Sequence, residues 1–281
     1  MLVFSSSNSI EVHLSTLRKT KSIGFVPTMG ALHLGLLSLI ELAKVENEVV
    51  VVSLFINPTQ FDKQEDLQKY PRTTEDDLKL LQSINCDIVF MPNVDEMYRG
   101  NIESEHFDFG GIEFEMEGKY RKGHFDGVGT IVKKLFEMIQ PQNAYFGEKD
   151  FQQLQIVKKL VEITKLPIHI VGCKIYREAD GLAMSSRNTR LSAEQRRAAP
   201  FIYQILQKTQ EKFGIIHVKE IKQWVEEQFA NHPYFKLEYF EIACEESLKP
   251  ANECVDKKNY RAFIAVFADD IRLIDNIRLG N

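Results

Sequence analysis

Apolar and polar positions fall into two regimes that meet near Tyr176. Before it, short runs of branched apolar residues alternate with stretches of helical period. The pattern predicts helices over 10–19, 36–44, 74–83, 127–139 and 151–164. It predicts strands over 22–27, 48–57, 87–91, 143–147 and 167–172. Strand and helix alternating in this way describe βαβ units, and hence an α/β fold with a doubly wound parallel sheet covered on both faces. Beyond Tyr176, helices over 193–213 and 218–230 precede strands over 237–244, 261–268 and 271–277. Helices grouped ahead of strands indicate a second, smaller α+β domain. The expected division is residues 1–176 and 177–281. The irregular stretch 177–189 forms the junction, and such connections often carry functional residues.

Composition narrows the function classes. A chain of 281 residues with 44% apolar content can bury a substantial core. A net charge of −5 leaves no nucleic-acid footprint. The longest apolar run, residues 49–56, includes Ser53 and is too short to span a bilayer. Residues 1–10 lack the basic and apolar regions of a signal peptide, so a cytoplasmic location is expected. Cys86, Cys173, Cys244 and Cys254 show no paired spacing. They fit a reducing compartment and give no metal-ligand pattern, so metal ligands stay unassigned.

Candidate chemistry concentrates in a few stretches. Gly24 through Leu36 reads as a buried strand, a Pro/Gly turn and a helix start carrying His33 beside Gly35. Helix-start amides next to a glycine suit a phosphate, and strand ends are where ligands bind in open α/β sheets. The plainer alternative for His33 is a helix-start histidine satisfied by backbone. Leu36 is in phase with Leu39, Ile40 and Ala43, and so also reads as part of an apolar stripe.

Gly147-Glu148-Lys149-Asp150 closes one strand and opens a helix. Asp150 and Gln153 have the spacing of a capping pair. Lys149 opposes the helix dipole, a cost that an anion held between the ammonium and the amides would reverse. Met184-Ser185-Ser186-Arg187 supplies two hydroxyls and a guanidinium, either as a phosphate clamp or as the approach to a helix capped by Ser192. Asn57-Pro58-Thr59-Gln60-Phe61 follows a strand, where polar side chains meet ligands. Glu75, Asp76 and Asp77 read as dipole compensation in a helix's first turn rather than as metal ligands. Gly123 through Gly129 lacks dinucleotide-binding spacing, and Gly118-Lys119 runs into Tyr120, so neither is a nucleotide fingerprint.

Together these stretches closely resemble the pantoate–β-alanine ligase family of the nucleotidylyltransferase superfamily. The resemblance runs from Phe25 to Leu273-Ile274-Asp275-Asn276. It also takes in Tyr70-Pro71-Arg72-Thr73, Gly123-His124-Phe125-Asp126-Gly127-Val128, Phe146 through Gln153, and Arg177 through Leu182. It implies a Rossmann-like nucleotide domain, a C-terminal lid domain and a homodimer. The implied substrates are ATP with Mg²⁺, (R)-pantoate and β-alanine, joined through a pantoyl adenylate with release of pyrophosphate and AMP. By resemblance, ATP meets Met29, Gly30, Ala31, Leu32, His33, Leu34, Gly35 and Leu36. It also meets Gly147, Glu148, Lys149, Asp150, Tyr176, Met184, Ser185, Ser186 and Arg187. Gln60 and Gln153 hold pantoate and β-alanine, while His33 and Lys149 are the catalytic pair.

Three positions depart from the family pattern. Leu36 stands where a second signature histidine is expected. Lys122 replaces a proline before Gly123, and Arg99 replaces a proline after Tyr98. Only Leu36 touches the expected chemistry. It leaves open a weakened homologue that binds nucleotide or pantoate, and an adenylyltransferase acting on another acid.

Overall fold

The computed structural model describes residues 1–251 and 258–280; Cys254 lies outside them. Five parallel strands were expected in the first half, and six are present. They are β1 (Leu2–Phe4), β2 (Ile23–Thr28), β3 (Val49–Leu54), β4 (Ile88–Phe90), β5 (Asn143–Gly147) and β6 (His169–Cys173). Their order is β1-β4-β3-β2-β5-β6, all parallel. The additional strand, β1, is three residues long and mostly exposed, too short to show a period.

Helices α1 (Ser7–Leu17) and α2 (Leu34–Glu46) cover opposite faces of this sheet. Between β3 and β4 come α3 (Gln64–Lys69) and α4 (Thr74–Ser83). Then follow α5 (Val94–Tyr98), α6 (Met116–Tyr120), α7 (His124–Ile139) and α8 (Phe151–Thr164). The short helices α3, α5 and α6 have five or six residues each, which hides them from a periodicity reading. One core joins α1, α7 and α8 to one sheet face through Ile10, Leu14, Phe25, Phe136 and Leu160. A second joins α2 and α4 to the other through Val26, Ile40, Val50 and Leu81.

The C-terminal part holds α9 (Ala193–Ala198), α10 (Pro200–Lys212) and α11 (Val218–Phe229). Its antiparallel sheet is β7 (Lys236–Cys244), β8 (Tyr260–Ala268) and β9 (Ile271–Leu279). The single helix expected over 193–213 is two helices. Pro200 lacks an N–H and therefore starts a new helix instead of continuing the old one. Ser192 caps α9 through a full capping box with Gln195, as its spacing suggested. One face of the small sheet packs on α10 and α11 through Ile202, Val225, Ile242 and Ile264. Phe263 and Ala243 turn the other way and join the core beneath α8.

Helix α7 packs tightly against the 3-10 turn Pro58–Gln60, which follows β3. Gly127 is the contact point. A Cβ there would collide with the Thr59 carbonyl and lie 2.8 Å from Gln60 Cα. The Asn57 amide donates to the Gly127 carbonyl at 3.1 Å. Gly127→Ala is expected to cost about 1–3 kcal/mol by overpacking, read from the urea midpoint. A variant of wild-type stability would mean that the turn yields freely.

Candidate active site

The strand order reverses direction at β2, whose neighbours are β3 on one side and β5 on the other. Connections leaving β2 and β5 pass to opposite faces, so a crevice opens beyond their carboxyl ends. A cleft lies there, lined by Thr28, Gly30, His33, Gly147 and Lys149 among others.

Its first wall is the loop from Thr28 to His33. The Thr28 hydroxyl donates to the Ser53 carbonyl at 2.8 Å and accepts from the Gly30 amide at 3.2 Å. Gly30 and Ala31 both adopt left-handed backbone, with φ of 76° and 50°. Such a conformation in Ala31 needs outside support. Asp77 of α4 provides it, accepting from the Ala31 and Leu32 amides at 2.9 and 2.7 Å. The Ala31 and Leu32 amides are thus committed to a carboxylate of the protein, ahead of the helix-start amides that begin at Leu34. Asp77 is 2% exposed and shapes the loop, beyond compensating a dipole.

His33 is the N-cap of α2 but makes no side-chain cap bond. Its Nδ1 is buried without a hydrogen-bond partner among the described residues. Burial and then the Lys149 charge push its pKa down to about 4, so the ring is neutral at pH 7. Gly35 makes room for that ring, since a Cβ there would stand 3.0 Å from two of its atoms. The Gly35 amide donates to the Met184 sulfur at 3.2 Å. Leu36 does both things the sequence suggested: it packs with the α2 core and lines the cleft.

The second wall is the 3-10 turn Glu148–Asp150 between β5 and α8. Asp150 makes no side-chain cap bond to α8, so the expected capping pair with Gln153 is absent. Among the described residues, the Lys149 ammonium and the Gln153 amide make no hydrogen bond or ion pair, and both face the cleft. Gln60 enters from the β3 side, its amide nitrogen 3.1 Å from the Met29 sulfur. Its backbone carbonyl accepts from His124 Nδ1 at 2.7 Å and Arg121 at 3.2 Å. Burial and then the Arg121 charge lower the His124 pKa to about 3, which keeps that ring neutral.

The third wall comes from beyond β6. Tyr176, Met184, Ser185, Ser186 and Arg187 all line the cleft. The Ser185 hydroxyl accepts from the Arg187 amide at 3.3 Å. The Arg187 guanidinium pairs with Asp66 of α3 at 2.8 Å and lies over the Tyr70 ring. Four expected contacts lie outside the lining. Ala31 and Leu32 are buried within the loop, Leu34 points outward at 56% exposure, and the Glu148 carboxylate turns to Arg261 at 3.3 Å. Conversely, Asn57, Tyr70 and Lys174 line the cleft without having been singled out as site residues. Asn57 and Tyr70 sit in stretches that carry the resemblance; Lys174 follows β6 directly and had no signal beyond that.

No group of three or more His, Cys, Asp or Glu suited to a metal ion occurs among the described residues. Both Asp77 carboxylate oxygens are taken by amides.

A parallel α/β sheet with a cleft at its switch point that holds Lys149, Lys174 and Arg187 is that of a nucleotide-binding protein of Rossmann-like architecture. A model of the pantoate-beta-alanine ligase family matches residues 2–278, and the chain belongs to that family. It is 56% identical over 262 residues to a pantothenate synthetase of Christiangramia forsetii, covering 93% of each chain. The crystal structure of pantothenate synthetase from Thermus thermophilus superposes with a TM-score of 0.92 at 40% identity, over 100% of both chains. A pantoate-beta-alanine ligase from Francisella tularensis, solved with beta-gamma ATP and β-alanine, gives 0.83 at 36% identity, over 99% of this chain and 97% of that one.

The neutral histidines make stability depend on pH. Below 6.5 the unfolded chain protonates at His33 while the native ring stays neutral down to about 4. The native state therefore loses stability as pH falls through this window and gains nothing further above it. His33→Asn is expected to flatten the fall between pH 6.5 and 4 by on the order of 2 kcal/mol. Denaturant midpoints against pH read this directly, and an unchanged slope would mean an ordinary imidazole.

Proposed function

We propose that this chain condenses (R)-pantoate with β-alanine, driven by ATP, through an enzyme-bound pantoyl adenylate. The pantoate carboxylate attacks the α-phosphorus and pyrophosphate leaves. The β-alanine amine then attacks the acyl carbon, giving pantothenate and AMP. The observation that carries this reading is the convergence of the unpaired Lys149 ammonium, the orphaned His33 nitrogen and the Gln153 amide on one cleft. Family membership supports it. Charge builds on phosphate oxygens in the first step, so positioning and cationic stabilisation carry the catalysis.

Lys149 neutralises the developing phosphate charge, with Ser185, Ser186 and Arg187 closing over the nucleotide. Gln60 and Gln153 hold pantoate. Mg²⁺ enters with ATP as part of the substrate. The core under α10 and α11 lies wholly beyond residue 176 and supports a division into residues 1–176, which bind nucleotide and pantoate, and 177–281, which cover them, with Ala243 and Phe263 seating the second part on the core of the first. A homodimer acting in the cytoplasm completes the reading. Among the described residues no helix is long and apolar enough to cross a membrane, and Cys86, Cys173 and Cys244 are buried free thiols. Pantothenate formation dependent on both ATP and β-alanine tests the activity. Pyrophosphate release with another acid but not with pantoate would overturn it.

Lys149→Ala is expected to lower the pyrophosphate-release rate about a hundredfold or more while leaving the melting temperature unchanged or slightly raised. Near-normal turnover would reduce the lysine to a surface charge. Leu36→His is expected to raise that rate, by up to about 10²-fold or more if the ring donates a proton or hydrogen bond at the phosphates. It should also cost about 1–2 kcal/mol of apolar packing. An equal or lower rate in the folded variant would mean that another group already does this work.

A further inference from the structure

Asp275 and Asn276 sit side by side on β9, 4% and 1% exposed, and none of the roles assigned so far uses them. The Asn276 amide nitrogen donates to two carbonyls, of Glu148 at 2.8 Å and of Lys149 at 2.9 Å. Its oxygen accepts from Arg261 at 2.6 Å, which fixes which way the amide points. Arg261 is itself held, lying over the Phe151 ring at 4.0 Å and reaching the Glu148 carboxylate at 3.3 Å. Asp275 accepts two bonds from Arg177, at 2.6 and 3.0 Å, and Arg177 also donates to the Asn276 carbonyl at 3.2 Å. Arg177 directly follows Tyr176, at the start of the segment that forms the third wall of the cleft.

The turn carrying Lys149 is a single 3-10 turn between a strand and a helix. Its cation makes no hydrogen bond or ion pair among the described residues, although it lies within electrostatic reach of Asp275. Two adjacent carbonyls bound to one rigid amide fix both the position and the tilt of that turn. We propose that Asn276 is a positioning residue: it clamps the Glu148–Lys149 backbone to β9 and so aims the Lys149 ammonium at the transferring phosphate. Asp275, through Arg177, ties the third wall to the same point. The clamp rests on the role proposed above for Lys149. Asparagine suits it because aspartate has no donor for the two carbonyls and glutamine is one methylene too long.

The test is a double-mutant cycle on the full chain. Pyrophosphate release at saturating ATP and pantoate is measured for wild type, Asn276→Asp, Lys149→Ala and the double variant. Asn276→Ala is run in parallel in case the aspartate fails to fold. Each Asn276 variant is expected to lower kcat about tenfold or more, with ATP KM changing by less than about threefold, because misaiming affects the transition state more than ground-state binding. In the Lys149→Ala background the same substitutions should have no further effect, since there is no ammonium left to aim. Equal losses in both backgrounds would mean a general structural role and overturn the clamp. Wild-type kcat in the Asn276 variants, beside an inactive Lys149→Ala, would overturn the clamp alone. Near-normal turnover of Lys149→Ala would remove the role of the lysine and the clamp with it.

Discussion

Strand β2 is hydrogen-bonded to β3 along its whole length and to β5 near its start, at Gly24 and Phe25. Because β5 diverges after that short pairing, the backbone beyond Thr28 and Gly147 is released into open space. The loop ahead of α2 and the turn ahead of α8 then face each other across the gap. Helix α2 belongs to one face of the sheet and α8 to the other, so the crevice is a product of topology before any side chain enters it. Gly30, His33, Lys149 and Gln153 occupy positions that this arrangement has already brought together.

A buried ionic seam then joins the small sheet to α6. Burial raises the Glu117 carboxyl pKa, but the Arg272 guanidinium outweighs it and holds the group at about 2. Arg272 donates to both Glu117 oxygens at 2.7 and 2.8 Å, and the Tyr239 hydroxyl adds a third bond at 2.7 Å. Such ion pairs contribute little net stability, and Arg272 also pairs with Glu238 at 2.6 Å, so the group is a network in which each buried charge has a second partner. Its value lies in fixing register between α6 and the strands β7 and β9. Arg121, beside the same carboxylate at 3.6 Å, carries that register to the Gln60 carbonyl.

Periodicity revealed most of the large elements, and three of them, Thr74–Ser83, Asn143–Gly147 and Phe151–Thr164, match the expected limits. Long amphipathic helices and branched strands announce themselves because one face is buried. The break at Pro200 was readable in principle, yet the apolar period continues across it and masked the stop. Of the site, the residues that touch open space were legible: His33, Lys149, Gln60 and the Met184–Arg187 run. The residues that hold them were not. Asp77 looked like one of three equivalent acids, and only the fold shows that its carboxylate closes on the Ala31 and Leu32 amides. Asn276 lies far along the chain from the turn it binds, and no spacing rule spans that distance.

Two donors in the cleft rest on sulfur: the Gln60 amide on Met29, and the Gly35 N–H on Met184. Thioether sulfur is a weak acceptor on a flexible, polarizable side chain. A donor placed against it is sheltered from water but barely committed. When an oxygen-rich ligand enters, each donor can exchange a poor partner for a good one, and the methionine can swing aside by rotation about its own bonds. These two donors of the cleft thus rest on partners that are easily displaced.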